Sequence, residues 1–356
     1  MDLLATIVEL SHQFGTSNYV RGGGGNTSAK DAHTLWVKPS GTVLARLRAE
    51  DFVAIDRSKL APLYSTPTPA EPQAREALVK EMMAAAVSPA SSGRPSVEAP
   101  LHDSLDAHFV VHTHPALVNG LTCAKNGKAA AEKLFPAALW IDYTDPGYTL
   151  CIKVRREIQS YQAQNGKQPE MILLENHGIF VAASCAIRIS KLYEEVFTIL
   201  RMEYKAAGVS VDFAEPKPLG DDKLSQAKEL FSTAFSPQHS AFVAGAEKFT
   251  AAVGPISPDH IVYSKSYPFI GVPTKETVAA FVRQRGYEPA VVITDDAVYG
   301  LGSSQKSAQL ALELAIDGAM VMRYANAFGG IQFMTDGARA FIENWEVESY
   351  RKKQVG

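Results

Sequence analysis

His112 and His114 stand two residues apart in Phe-Val-Val-His-Thr-His-Pro, a run that reads as a β-strand. Residues two apart on a strand share one face, so the two imidazoles project side by side from a rigid surface, half of a divalent-metal site. A third histidine, His177, follows a separate apolar strand, Met171–Leu174, in Glu-Asn-His-Gly. Three imidazoles leave a zinc ion one open coordination position, as in a catalytic rather than a closed structural site. Glu98 lies in Pro-Ser-Val-Glu-Ala-Pro-Leu-His, shortly before the first pair. It reads either as a carboxylate stabilised at the start of a helix, or as a group which that helix returns to the histidines, there to bind metal or to move a proton of a bound substrate. His102 falls four residues later, and His108 shares strand parity with His112 and His114. A fourth histidine ligand would close the open position.

A second set of groups suits an anion. Arg21 to Ser28 reads Arg-Gly-Gly-Gly-Gly-Asn-Thr-Ser, and Lys38-Pro39-Ser40-Gly41 follows one strand later. The glycines are a flexible turn and nothing more, or the two stretches together supply backbone amides, hydroxyls and one cation to an oxyanion such as phosphate. No Gly-x-Gly-x-x-Gly and no Walker-type lysine motif occurs, so neither a dinucleotide nor a nucleoside triphosphate is favoured.

The elements that must position these residues show in the periodicity. Leu3, Leu4, Ile7, Val8 and Leu10 predict a helix over 2–14. Strands are predicted over 34–37, 52–56, 108–114 and 171–174, with a helix over 75–87 after an exposed loop rich in Pro, Ser and Thr at 61–74. A helix from Ala186 to about Lys205 closes a first unit, residues 1–207, and residues 208–222, with Pro216, Pro218 and Gly220, read as a linker. The remainder, 223–356, is a partial echo of the first unit. Val291 through Tyr299 lines up with Met171 through Ile179, each followed by a small-residue turn and a long helix, with Asp296 in the place of His177. Pro258 to Tyr263 faintly echoes Glu50 to Ile55. With no His-x-His and no four-glycine loop, this part reads as a shortened, metal-free relative of the first.

Composition is that of a soluble globular protein. A chain of 356 residues suits two domains, each with its own core, and 46% hydrophobic with 21% charged residues is ordinary for globular proteins. A net charge of −3 without a strongly basic stretch gives little support to nucleic-acid binding. Cys123, Cys151 and Cys185 lie far apart in apolar segments and read as reduced, buried thiols. The N-terminus lacks a basic segment followed by an apolar run, and no stretch approaches a membrane span, so the expected location is cytoplasmic.

Gly-Gly-Asn26-Thr-Ser28, Lys38-Pro-Ser40-Gly41, Pro95-Ser96-x-Glu98, His112-Thr-His114-Pro and Glu175-Asn-His177-Gly, in this order, resemble the class II aldolase/adducin family over about residues 1–207. The resemblance implies an α/β fold of three layers, helices on both sides of a mainly antiparallel sheet, usually assembled as a homo-oligomer. It implies zinc, or another divalent metal, on His112, His114 and His177, with Glu98 as the acid/base. Asn26, Ser28, Ser40, Gly41 and Ser96 would hold a substrate phosphate, with Lys38 in support. Tyr143 would protonate the leaving aldehyde oxygen, with Tyr148 as its neighbour; either is equally an aromatic capping the sheet edge. The implied reaction is cleavage of a ketose, as its 1-phosphate, to dihydroxyacetone phosphate and an aldehyde through a metal-stabilised enediolate. Epimerisation, decarboxylation or dehydration of a related sugar acid or phosphate uses the same chemistry, and a non-catalytic adducin-like module is the reading from another class, in which the ligand histidines are lost. Two departures stand out. Val97 occupies a place where the aldolases commonly carry a second phosphate-binding serine. The layout of residues 254–265, and of Glu-x-Trp-Glu-Val-Glu from Glu343, is similar to the aldolase part of bifunctional rhamnulose-1-phosphate aldolase/alcohol dehydrogenases.

Overall fold

The computed structural model describes residues 2–91 and 93–345, so the last three residues of the Glu-x-Trp-Glu-Val-Glu stretch lie outside the described part. The chain divides into two compact units: Met1–Val118 with Gly127–Leu200, and Asn119–Asn126 with the chain from Arg201 onward.

The first unit is built on seven strands: β1 (Asn26–Lys30), β2 (Thr34–Val37), β3 (Val53–Asp56), β4 (Phe109–Thr113), β5 (Leu139–Ile141), β6 (Met171–Leu174) and β7 (Gly178–Ala183). They lie in the order β3-β2-β1-β4-β7-β6-β5. Every pairing is antiparallel except β5 with β6. The central strands are apolar on both faces because both faces are covered. On one face Leu101 and the helix Tyr148–Asn165, through Leu150, Val154 and Ile158, pack on Val110, Ile172, Leu174 and Phe180. The helix Leu3–Phe14 buries Ile7, Leu10 and Phe14, and Phe14 meets Tyr193 of the helix Ala186–Ala206 at 4.4 Å between ring centres. Tyr193 in turn hydrogen-bonds Thr113 Oγ1 and the Val111 carbonyl, on the opposite parity of β4. Helices therefore cover both faces of the sheet, the three layers the family resemblance implies.

The second unit has four strands: β8 (Phe242–Glu247), β9 (Phe269–Ile270), β10 (Val291–Ile293) and β11 (Ala297–Gly302), in the order β8-β11-β10-β9. Again only the outermost pair, β9 with β10, is parallel. The hairpin β10–β11 and the following helix Gln305–Ala325 match the expected echo of β6–β7 and the helix Ala186–Ala206. The second echo fails. Pro258–Ser264 is a helix, started by Ser257 in extended conformation and Pro258 in its first turn, whereas Val53–Asp56 is a strand. Within the stretch expected as a linker, residues 217–219 pair with β8: Glu247 N donates to the Lys217 carbonyl, and Leu219 N to the Gly245 carbonyl.

None of the three cysteines forms a disulfide; Cys123 and Cys151 are buried as expected, whereas Cys185 is only partly buried. Among the described residues no helix is long and apolar enough to cross a membrane.

Candidate metal centre

The three histidines converge. One ring nitrogen from each of His112, His114 and His177 lies within 4.8 Å of the others, the one cluster of this kind among the described residues. Nε2 of His114 is 2.9 Å from Nε2 of His112. Two nitrogens bound to one tetrahedral zinc at 2.0–2.1 Å stand about 3.4 Å apart, so the set fits a metal with a small outward adjustment.

Each ring has an identifiable support. His112 is fully buried on β4, and its Nδ1 donates to the Ile179 carbonyl of β7 at 3.0 Å, which leaves the Nε2 lone pair for the centre. Its ring lies flat on Phe180, centroids 3.8 Å apart. His114 follows the end of β4, its backbone N–H held by the Tyr19 carbonyl. His177 ends the turn between β6 and β7, where Asn176 takes a left-handed φ of 52°. Asparagine tolerates that conformation better than most residues. Gly178 is required next: a Cβ there would sit 2.4 Å from the Thr113 carbonyl oxygen and 2.7 Å from the His114 ring. Gly25, at φ 70°, serves similarly, since its Cβ would press on Val20 and on the His112 carbonyl.

Glu98 faces this cluster. Oε1 lies 3.3 Å from His112 Nε2 and 3.9 Å from His177 Nε2, and Oε2 accepts from Asn26 Nδ2 at 3.3 Å. Although Glu98 stands at the N-cap of the helix Ala99–Asp103, its side chain makes no capping bond, so the carboxylate is directed to the histidines rather than to the helix start. Burial works against its charge, but His112 by charge and hydrogen bond, then His177 and His102, hold the carboxyl well below the ordinary range. Burial pushes His112 down towards the neutral, metal-binding form.

The anion-binding candidates are drawn together by backbone pairing. Pro39 bridges Pro95, Ser40 N donates to the Arg94 carbonyl and Ser96 N to the Lys38 carbonyl, so the Lys38–Gly41 turn docks directly on the segment leading to Glu98. Lys38 is buried, with Nζ donating to the Gly23 carbonyl of the glycine loop, and Gly41 takes a φ of 79°. Ser96 Oγ accepts from Glu98 N. Asn26 Oδ1 is buried and has no hydrogen-bond partner among the described residues. Ser28 differs from the rest: it is fully buried, and its hydroxyl is engaged by His102 Nδ1 at 2.8 Å. Tyr143 N donates to Glu175, the first residue of the turn that carries His177, and its hydroxyl donates to Asp145. Tyr148 donates instead to the Leu63 carbonyl. His108 bonds the Lys30 carbonyl and takes no part in the cluster. The Glu175 carboxylate, which ties the turn to the Tyr143 segment, carried no signal in the sequence beyond its place in Glu-Asn-His-Gly. A cleft of about 570 Å³, lined among others by Arg57, Tyr64, Asp103 and Arg155, contains none of the predicted site residues.

A three-layer unit in which three histidines converge beside a facing carboxylate defines a class of protein with a candidate divalent-metal site. Comparison with known proteins makes the class specific: the profile described as class II aldolase and adducin N-terminal domain matches residues 5–204, and the chain belongs to that family. A curated relative, the uncharacterized oxidoreductase YuxG of Bacillus subtilis, is 23% identical over 391 aligned residues, covering 92% of this chain and 55% of that protein. The chain thus spans about half the length of that relative. Among solved structures, it is similar to the N-terminal class II aldolase domain of a conserved protein from Thermoplasma acidophilum (22% identity, TM-score 0.48, 57% of this chain and 93% of that one). It is also similar to an L-fuculose 1-phosphate aldolase (16% identity, TM-score 0.40, 65% and 96%).

Proposed function

We propose that the first unit is a metal-dependent lyase, an aldolase that cleaves a phosphorylated ketose into dihydroxyacetone phosphate and an aldehyde. The observation that carries this reading is the position of Glu98 Oε1, 3.3 Å and 3.9 Å from the inward nitrogens of two of three converging histidines. A divalent metal on His112, His114 and His177, zinc by preference for three imidazoles, would polarise the ketose carbonyl and stabilise the enediolate left by cleavage. Glu98, held ionised, takes the proton from the triose carbon in the synthetic direction and returns it after cleavage. Asn26, already bonded to Glu98 and with its carbonyl oxygen unpartnered, orients the triose portion. Lys38, Ser40, Gly41 and Ser96 hold the phosphate, brought to one place by the Pro39–Pro95 bridge. Tyr143 takes the hydroxyl proton of the carbon that becomes the aldehyde while passing its own to Asp145, and returns it in the synthetic direction.

Val97 favours a second reading in which the anion is a carboxylate and the reaction an epimerisation, decarboxylation or dehydration, because one hydroxyl fewer lines the cradle. The deciding experiment incubates the metal-loaded protein with ketose 1-phosphates of rhamnulose, fuculose and ribulose skeleton and identifies the products. Triose phosphate release that chelation abolishes supports the aldolase. Tightly bound metal with no triose phosphate from any member of the panel moves the assignment to the second reading. Glu98→Gln is expected to keep its metal and lose roughly 10²–10⁴-fold in kcat; full activity in that variant would remove the glutamate from the mechanism.

A further inference from the structure

The helix that begins at Glu98 has only five residues, Ala99–Asp103, too few to hold its own shape or direction. Its support comes from one face of β1. Asn26, Ser28 and Lys30 alternate along that strand and so point the same way. In order, Asn26 Nδ2 donates to Glu98 Oε2 at 3.3 Å, Ser28 Oγ bonds His102 Nδ1 at 2.8 Å, and Lys30 Nζ donates to the His102 carbonyl at 2.8 Å. His102 lies one turn beyond Glu98, its N–H bonded to the Glu98 carbonyl at 3.0 Å, so a shift of His102 turns Glu98 with it. Its ring edge meets Phe180 at 5.3 Å, and Phe180 is the plate on which His112 lies. His102 is thus in contact both with the helix that carries Glu98 and with the backing of a metal-ligand ring.

A site meant only for filling space would be apolar, since an imidazole and an ammonium group buried together are costly. Both His102 and Lys30 are at most 2% exposed, and His102 Nε2 has no hydrogen-bond partner among the described residues. Burial pushes His102 down to about 3.

We propose that His102, gripped by Ser28 and Lys30, is a positioning residue that sets the Glu98 carboxylate against the metal cluster, and that Ser28 belongs to this grip rather than to the anion cradle. The inference rests on the metal and Glu98 reading given above. It is tested on the full chain loaded with Co²⁺, whose visible spectrum reports the ligand field without reference to turnover. Glu98→Gln fixes the spectrum of a centre without its carboxylate. His102→Phe is expected to reproduce that spectrum and to lower kcat by about 100-fold, the cost of a misplacement near 1 Å. Its metal affinity is expected to change by less than the tenfold or more that losing a direct partner of a ligand histidine costs. His102→Asn, which keeps a polar atom near the Nδ1 position, is expected to restore the wild-type spectrum. Ser28→Ala and Lys30→Met, milder changes that serve should His102→Phe not fold, are expected to shift the spectrum part of the way and lower kcat roughly 3–10-fold. Wild-type spectra and kcat in His102→Phe, or in both milder variants, overturn the proposal. A spectrum that Glu98→Gln itself leaves unchanged overturns the Glu98 reading beneath it, and is recognised as such before any His102 variant is compared.

Discussion

The strands β4, β7, β6 and β5 of the first unit and β8, β11, β10 and β9 of the second repeat one pattern: two antiparallel pairings followed by one parallel. His112 pairs with Phe180, the third residue of β7, and Gly245 pairs with Tyr299, the third residue of β11. Counting along the ladders, the positions of His112, His114 and His177 are taken in the second unit by Gly245, Glu247 and Asp296. The space is also filled differently. A Cβ on Gly245 would meet Leu219 at 2.8 Å and Leu224 at 3.0 Å, so leucine side chains stand against the position that an imidazole occupies in the first unit. The β10–β11 turn closes on Thr294 N to the Ala297 carbonyl and omits the left-handed residue that in the first unit is Asn176. Where the first sheet continues into β1, the second has, among the described residues, only the short bridge of Pro218 to Ala246. The shared backbone therefore does not by itself assemble the histidine cluster. What separates the two regions is a ligand set, one extra turn residue and a neighbouring strand that steadies a carboxylate.

The largest effect is expected from making the first region like the second. His112→Gly combined with His177→Asp should abolish stoichiometric metal binding, a loss well beyond the roughly 10–100-fold that removal of an outer partner causes. Metal content after dialysis and competition with a chelator measure it. Retention of one tight metal per chain would show that the centre is built from other groups.

Much of this difference was legible in the sequence, because a histidine cluster of this kind depends on residue types at short spacing. The three histidines converge as the pattern put them, although His114 lies just beyond the end of β4, and Asp296 reaches the place of His177 through a turn one residue shorter than the first. What was not legible depended on distance along the chain. The grip of β1 on His102 joins residues 74 apart at Ser28 and 72 apart at Lys30, and nothing local signals it. The parity shared by Asn26, Ser28 and Lys30 was the available clue. The echo of Glu50–Ile55 in Pro258–Tyr263 failed because apolar similarity over a few residues does not distinguish a strand from a helix, whereas the proline in the first turn does.

A middle-sized effect follows from β1, the strand whose place in the second sheet is taken only by that short bridge. Burial lowers the Lys30 amine to about 7, with Asp103 opposing. The folded state then binds one proton fewer than the unfolded state between about pH 7 and the ordinary lysine value near 10.4, so stability rises with pH across that window and is lost as pH falls towards 7. The contribution to the slope is at most about 1.4 kcal/mol per pH unit. Lys30→Met should remove it, so that the denaturant midpoint of the wild type rises relative to that of the variant as pH rises from 7 to 10. Parallel curves across that range would mean that the amine stays charged in the fold.

The smallest and sharpest test exchanges the residues that open β7 and β11. Gly178 and Ala297 occupy the same place in the two hairpins, yet only the first lies under a metal-ligand ring. In the first unit the Cβ of an alanine at 178 would strike the Thr113 carbonyl oxygen, a backbone atom that cannot swing aside, and the ring of His114. Gly178→Ala should therefore cost about 1–3 kcal/mol by overpacking and weaken metal binding, because the strand and the imidazole must separate. In the second unit the alanine is already accommodated and fully buried. Ala297→Gly there should cost only about 0.5–1 kcal/mol, the ordinary penalty of glycine in a strand, with metal binding unchanged. Thermal unfolding and metal titration of both variants separate the two causes. If the two substitutions have equal effects, the requirement for glycine at the start of β7 is a property of the hairpin and not of the metal centre.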